Sequence, residues 1–517
     1  EGEVSASLSS LPPTMARRPL LPPLPLLLLG ILFSLSAVLP PARGATRVCV
    51  VGSGMAGSSV SHFLREYSGG AVDDIVVLER NGVVGGRMAT VTLGGDTFEA
   101  GATILHPKNL HALNFTSFLH LKPKAKAGAT TSDSSSSSSS WFGIWDGARF
   151  VFQSLPPPPE SSSALYRKIQ SLLNSLRIFR RYGVSLLRMN RFVQRAVESF
   201  LLYYKDLGSR PVFESVEEML KWSGLYGLTR RTLREELADV GLSPLLISEL
   251  VTVITRINYG QNVDISGLAG AVSLAGSESG LWSVHGGNWQ IAAGLIKHAN
   301  ATLYLNEEIT AVSYTEGYYE LSSMKGNHYK CGVAIIATPL DELNISFTPP
   351  VSIPSRNLQH THATFVRGFL NPAYFGLSSA SEIPDLVGTL ELPNIPFSSI
   401  SVLKKYGEED KAYKIFSRSP MEDSLLNLIF STQKDIVQIN WPAYPHYKAP
   451  EIFAPFLLDG LHLYYINSFE SAASTMETSA VAAENVARLI LSRMFTMPST
   501  TSSSSNLSGE RDVHVDL

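Results

Sequence analysis

Only two cysteines, Cys49 and Cys331, occur in 517 residues, and both sit inside apolar, strand-like runs. Two thiols so placed exclude a fold built on a disulfide framework, and both are expected as buried packing residues rather than catalytic thiols. An excess of charge is missing as well: 42 Lys and Arg against 45 Asp and Glu leave a net charge of −3. A pI near 6.5 gives no global attraction to nucleic acid. Beyond the N-terminal region no apolar run is long enough to span a bilayer, so the mature chain is expected to be lumenal and soluble.

What is present is enough apolar residue, 44% of the chain, to fill the cores of two or three domains. Near the start, Arg17 and Arg18 precede an apolar segment, Leu26 to Leu39, followed by the small residues Ala42 and Gly44 before Ala45. The segment is shorter than the ~20 residues of a transmembrane helix, so residues 15–44 read as a cleaved secretory signal. In that context Asn114, Asn300, Asn344 and Asn506, each followed by the Asn-x-Ser/Thr pattern, are candidate N-glycosylation sites.

The stretch "VCVVGSGMAGSSVSHFL" turns from an apolar strand into a glycine turn and then a helix. Gly52, Gly54 and Gly57 form G-x-G-x-x-G: room for the turn, backbone access to a pyrophosphate, and close helix–strand packing. The helix N-terminus then offers unpaired N–H groups and positive dipole to the phosphates. "DIVVLE" closes a second strand at Glu79, 22 residues after Gly57, where an acid binds ribose hydroxyls. A second glycine turn follows, Gly85-Gly86-Arg87, with an arginine suited to a pyrophosphate or a flavin edge. This arrangement resembles the flavoprotein superfamily of amine oxidases, phytoene desaturases and protoporphyrinogen oxidases, which implies FAD rather than NAD, held non-covalently. The expected fold is α/β: a discontinuous Rossmann-type FAD-binding domain with an α+β substrate domain, in the amine-oxidase/glutathione-reductase-like architecture. In such folds the last strand and helix return to the dinucleotide. "LHLYYIN" and "TMETSAVAAENVARLILSRM" occupy that place and put Met476 and Glu477 near the flavin.

The expected division follows. Residues 45–121 begin the FAD domain, and 122–163 form a low-complexity loop region around the poly-Ser run. Residues 164–455 are mainly substrate domain with interleaved FAD-domain strands, 456–497 hold the returning strand and helix, and 498–517 form a disordered tail. Within the substrate region Ile169, Leu172, Leu173, Leu176 and Phe179 follow the spacing of one helix face. Residues 165–205 carry nine Lys or Arg and one acid, Glu198. Such a region is a candidate for peripheral contact with anionic lipid. No CxxC and no second G-x-G-x-x-G is found, so the substrate itself is expected to supply the electrons and O2 to accept them.

The glycine signature joins "ILHPKNLH", "RINYGQNVDISGLAGAVSLAGSESGLWSVHGGN", "WPAYPHYKAPE" and "ESAASTMETSAVAAENVA" in a pattern that resembles the prenylcysteine oxidase family, called farnesylcysteine lyase in plants. The resemblance runs from about residue 46 to 492. It implies a free S-farnesyl- or S-geranylgeranyl-cysteine substrate, released when prenylated proteins are degraded. FAD would take a hydride from the prenyl C1, water would add there, and the hemithioacetal would collapse to cysteine and a prenyl aldehyde. O2 would then be reduced to hydrogen peroxide, in a lysosome or vacuole.

For the water step and the zwitterionic end of the substrate, His106, His285, His446 and Tyr259 are the candidate catalytic residues within those motifs. Gln261 is a candidate wall residue, and Arg256 suits either a substrate carboxylate or a buried pair. No metal site is expected. Two other readings stay open: another amine-oxidase- or desaturase-like flavin oxidase on an apolar donor, and a non-catalytic FAD-binding, lipid-associated secreted paralogue.

Overall fold

Val48 to Val51 run without a polar residue because β1 (Thr46–Val51) is the middle strand of a parallel sheet, buried on both faces. In the computed structural model, which describes residues 46–125, 141–159, 161–407 and 409–496, this sheet has five strands. Their order is Leu463–Tyr465, Val333–Ile336, β1, β2 (Val72–Leu78) and Thr302–Tyr304, and every pairing is parallel. The dinucleotide-type domain is therefore assembled from pieces spread along nearly the whole chain. α1 (Met55–Tyr67) crosses between β1 and β2 and packs on the final helix, Met476–Thr496. Both helices are rich in Ala, Ser and Gly on buried positions, including Ser58, Ser59, Ala480 and Ala483, which permits close approach.

Cys49 and Cys331 are buried as expected, but they are not independent packing residues. A disulfide joins them, with Cα atoms 5.8 Å apart and 282 residues between them in sequence. The strand His328–Cys331 ends beside β1, and the chain then enters Val333–Ile336, which pairs with β1. That crossing brings the two side chains together, and no local spacing in the sequence encodes it.

Two further sheets complete the frame. A four-stranded sheet is ordered His328–Cys331, Tyr318–Ser323, Ile309–Thr315 and Ser346–Thr348. A seven-stranded sheet is ordered Phe430–Pro445, Leu358–Leu370, Lys411–Ser417, Ser399–Lys405, Leu386–Thr389, Phe142–Trp145 and Phe150–Gln153. Its last two strands correct the reading of 122–163 as one loop region. Phe142, Ile144, Trp145 and Phe152 are drawn into the sheet's cores, and the Trp145 ring stacks on Phe397 at 5.8 Å. Pro123–Ala125 likewise pairs with Trp282–Val284. The poly-Ser expectation, like those for the N-terminal signal, Asn506 and the tail, lies outside the described residues.

After α2 (Leu110–Phe118), the helical part of the substrate region opens with α3 (Ala164–Tyr182) and α4 (Ser185–Phe200). α4 buries Met189, Phe192 and Val193 against Leu233, Leu237, Leu246 and Val251. α3 does the opposite with its apolar residues: Ile169, Leu172, Leu173, Leu176 and Phe179 are all exposed. Among the described residues no helix is long and apolar enough to cross a membrane.

Because the disulfide closes so long a loop, its loss loosens the unfolded chain strongly. A Cys49→Ala/Cys331→Ala variant is expected to lose about 2–5 kcal/mol of stability in denaturant titration. The unreduced parent, unfolded in guanidinium, is expected to titrate with no free thiol.

Candidate functional site

The carboxyl ends of the parallel strands open into a cavity of about 680 Å³. Ligands enter open α/β sheets at this edge. Gly52 leaves β1 with φ +107°, and a side chain there would begin 2.7 Å from the Ala337 carbonyl oxygen. On Gly57 a Cβ would fall 2.0 Å from the Gly52 carbonyl oxygen, so only glycine lets α1 start this near the strand. Gly54 faces the second glycine turn, Gly85-Gly86, across the cavity. Side chains on either would fill that space. Gly52, Gly54, Gly85 and Gly86, with Glu79 and Arg87, line the cavity, while Gly57 sits behind them at the helix–strand contact.

Glu79 follows β2 and is buried. One carboxylate oxygen accepts from Ser53 N at 2.9 Å and Ser53 Oγ at 2.7 Å; the other accepts from Asn81 N and Nδ2 at 2.9 and 2.8 Å. The acid thus splints the first glycine turn to the end of β2 as well as lining the cavity. Arg87 donates to the Ala443 carbonyl at 2.7 Å and pairs with Glu470. Arg356 also pairs with Glu470, at 3.3 Å, and with Asp341 at 2.6 Å. The guanidinium expected on a pyrophosphate or flavin is instead tied to β-sheet backbone and a buried acid at the cavity wall.

The final helix points its N-terminus into the cavity, with Ser474, Thr475 and Met476 on the lining. Thr475 Oγ1 accepts from Thr478 N, and Thr478 Oγ1 accepts from Thr475 N, both at 2.9 Å. This reciprocal cap orders the first turn and aims its positive end at the cavity. Glu477 departs from expectation. It is buried and faces away, where its oxygens accept from His111 N at 2.7 Å, Ala112 N at 3.0 Å and the Tyr204 hydroxyl at 2.6 Å. Helical phase explains this: one residue after Met476 the side chain has turned about 100°, onto the N-terminus of α2. Glu477 joins two helices and does not contact the cavity.

The opposite wall comes from the seven-stranded sheet: Leu358, Thr361, Phe416 and the run Asn440, Trp441, Pro442, Ala443, Tyr444. Within "WPAYPHYKAPE", then, it is the start of the motif that reaches the site. Apolar and aromatic surface dominates this wall, and the Trp441 indole is held by a 3.0 Å hydrogen bond to the Ala100 carbonyl. Among the described residues, two buried wall atoms lack hydrogen-bond partners, Thr361 Oγ1 and Asn467 Oδ1. Both offer open hydrogen-bonding capacity to a ligand.

The three histidines are placed elsewhere. His106 sits before α2, paired at 3.1 Å with Glu278 and accepting from Lys108 N. His285 and His446 are exposed, and none of the three lines the cavity. His446 follows Pro445 at the end of a strand, so its side chain turns outward where Tyr444 turns in. Tyr259 stands one layer behind the wall: its hydroxyl donates to the Ser474 carbonyl at 3.3 Å, and its ring packs on Tyr444 and Tyr447. Burial raises its pKa well above the usual phenol range, which keeps it a neutral donor. Gln261 bonds Pro445 O and Tyr447 N. Arg256 forms a buried pair with Glu391 and donates to Thr389 and Phe397. It is the structural pair of the two readings. His62, Glu66 and His298 bring possible metal-ligating atoms within 4.8 Å of one another, outside the cavity lining.

Two family models match the chain. The family model for prenylcysteine lyase matches residues 165–502, and that for a NAD(P)-binding Rossmann-like domain matches residues 50–118. Farnesylcysteine lyase of Arabidopsis thaliana is 56% identical over 92% of this chain and 96% of that protein. Prenylcysteine oxidase 1 of Homo sapiens is 31% identical over 86% of this chain and 89% of that protein. Among solved structures, cyclohexylamine oxidase from Brevibacterium oxydans superposes with a TM-score of 0.54 at 15% identity, covering 87% of this chain and 100% of that one.

Behind the Ala100–Ala102 wall lies Glu99. Burial pushes its carboxyl up to about 7 against one hydrogen bond from Asn288 N, and its other oxygen has no partner. The fold prefers the protonated acid, so this contribution is fully present below about pH 4.5 and is lost as pH rises through about 7. Glu99→Gln removes the loss. The variant is expected to gain up to about 3 kcal/mol over the parent at pH 8 and little at pH 4.5, read from unfolding midpoints at the two pH values.

Proposed function

This chain belongs to the prenylcysteine lyase family, and from that premise we propose that it is an FAD-dependent thioether oxidase that cleaves S-prenyl-L-cysteine to free cysteine and a prenyl aldehyde. The observation that carries the reading is the single cavity in which the glycine cradle and an aromatic wall face each other. A dinucleotide and an apolar donor are thereby brought to one place.

FAD, when bound, supplies the two-electron acceptor for the hydride at the prenyl C1, the carbon activated by both its alkene and its sulfur. The chain's own residues bind and orient. Gly52, Gly54 and Gly57 give the pyrophosphate access to the start of α1, and Glu79 with Ser53 keeps that turn in shape. The N-terminus of the final helix places positive potential where negative charge grows on the cofactor. Trp441, Tyr444, Phe416 and Leu358 exclude water from the isoprenoid and hold its C1 in reach. Thr361 on that wall and Asn467, in the turn leading to the final helix, supply unpartnered polar atoms.

The remainder of the reading rests on supporting features. O2 is taken as the final acceptor, with hydrogen peroxide as product, since no second dinucleotide motif is found in the chain. A secretory route to a lysosome or vacuole fits the buried Cys49–Cys331 disulfide, which needs an oxidising compartment. Asn114, Asn300 and Asn344 are exposed and are the sites at which N-glycans are proposed. Peripheral membrane contact through residues 165–205 belongs to the same reading, because the donor is an isoprenoid.

The test is anaerobic mixing of the purified flavoprotein with S-farnesylcysteine. Bleaching of the flavin absorbance, then its return with peroxide on admitting air, is the expected result; an unchanged spectrum would sink the proposal. Bleaching by polyamines or phytoene instead would move the chain to an amine oxidase or desaturase chemistry.

A further inference from the structure

An amphipathic helix on a globular protein normally turns its apolar stripe to the core; α3 does the reverse. Its inward side is polar for the most part. Asn174 accepts from Leu155 N at 2.6 Å, Arg181 makes a two-point pair with Glu249 at 2.7 Å, and the Tyr182 hydroxyl donates to the same acid. The opposite side is Leu165, Ile169, Leu172, Leu176 and Phe179, at helical spacings of 4, 3, 4 and 3 residues. Leu165, Leu172 and Leu176 are 68%, 69% and 58% exposed. Val184 and Leu187, also exposed, prolong the patch across the turn into α4. The helix is about 28 Å long at 1.5 Å per residue, so this is an extended ridge and not a scattered residue or two.

The charge around the ridge selects what covers it. Lys168 and Arg180 flank the stripe on the helical wheel, Arg177, Arg188 and Arg191 lie close to it in sequence, and no acid occurs anywhere from 161 to 197. A second copy of the chain would bring two such cationic ridges together, which like-charge repulsion disfavours. An anionic bilayer meets both demands, taking the leucines between its lipids and the cations among its headgroups.

We propose that the outward face of α3 is a membrane-docking surface for an anionic leaflet, with Leu165, Ile169, Leu172, Leu176 and Phe179 inserted and Lys168 and Arg180 at headgroup depth. The proposal names the membrane partner of the function given above. The surface lies on α3 and its turn into α4, away from the cavity lining, so vesicle binding and prenylcysteine oxidation stand or fall separately.

The experiment is co-sedimentation of the full chain with phosphatidylcholine vesicles, with and without phosphatidylserine. Tight binding only to the anionic vesicles is expected. Leu172→Gln/Leu176→Gln is expected to weaken it about tenfold or more, and Lys168→Glu/Arg180→Glu to abolish the preference for phosphatidylserine. Both pairs are solvent-exposed, so flavin-linked turnover of soluble farnesylcysteine and the far-ultraviolet circular dichroism are expected to match the parent. Equal vesicle binding by parent and leucine variant overturns the proposal. So does equal binding to neutral and anionic vesicles, or a dimer in sedimentation velocity that the leucine variant turns to monomer.

Discussion

The carbonyl oxygen of Gly52 lies where a side chain on Gly57 would have to begin, 2.0 Å away. Everything at the cofactor end depends on that approach. It sets α1 against the end of β1 so that the first N–H groups of the helix face the cavity. The same closeness leaves Ser53 within reach of Glu79, whose carboxylate accepts from both its backbone and its hydroxyl. Gly86 of the second turn comes near Gly54, where a Cβ on Gly86 would lie 3.4 Å from the Gly54 Cα. Gly85 needs the absence of a side chain for its own turn, against the Met88 carbonyl at 2.5 Å. The missing side chain at Gly57 therefore governs the end of β1, the start of α1 and the acid that closes β2.

Around this cradle the walls are held by charge that has been taken out of water. Arg87 and Arg356 meet on Glu470, and Arg356 also meets Asp341. Breaking one partner of such a buried set leaves another uncompensated, at a cost of several kcal/mol. The set connects the Gly85–Arg87 turn, the edge strand carrying Ala443 and the segment leading into the final helix. Tyr259, Tyr444 and Tyr447 do the equivalent from the substrate side, with Tyr447 and Tyr259 bonded to the backbone of Ser474. Two independent groups thus fix the approach to the final helix.

The parts legible in the sequence were those encoded by local spacing. Gly52, Gly54, Glu79, Gly85 and Gly86 are placed by a turn, a strand end and a second turn, and all reach the cavity, with Gly57 packed behind them. Met476 was legible too, as the first residue of the returning helix. Glu477, next to it, was not: whether a side chain meets the cavity or α2 depends on helical phase relative to a neighbour that the sequence does not locate. His106, His285 and His446 lie in distinctive motifs, but a motif identifies a segment and not the direction each side chain takes. The strand Phe430–Pro445 ends one residue before His446, so the alternation that would have put it on the face of Tyr444 no longer holds there. The disulfide between Cys49 and Cys331 and the strands at 142–145 and 150–153 are products of long-range pairing. The outward turn of α3 was hidden because periodicity reveals a stripe without revealing which side the protein occupies.

The order of strands in the parallel sheet has a consequence for how the molecule is made. β1 and β2 leave the ribosome early, yet the strands flanking them arrive at 302–304 and 333–336, the edge strand beyond at 463–465, and the final helix after that. The first-made piece of the binding site must wait until residue 336 before both its sheet edges are covered. Cys49 waits 282 residues for Cys331. The sheet and the helix that closes the cavity are complete only once the chain reaches its last strand and helix, so a chain stopped before residue 463 leaves Val333–Ile336 as an uncovered edge.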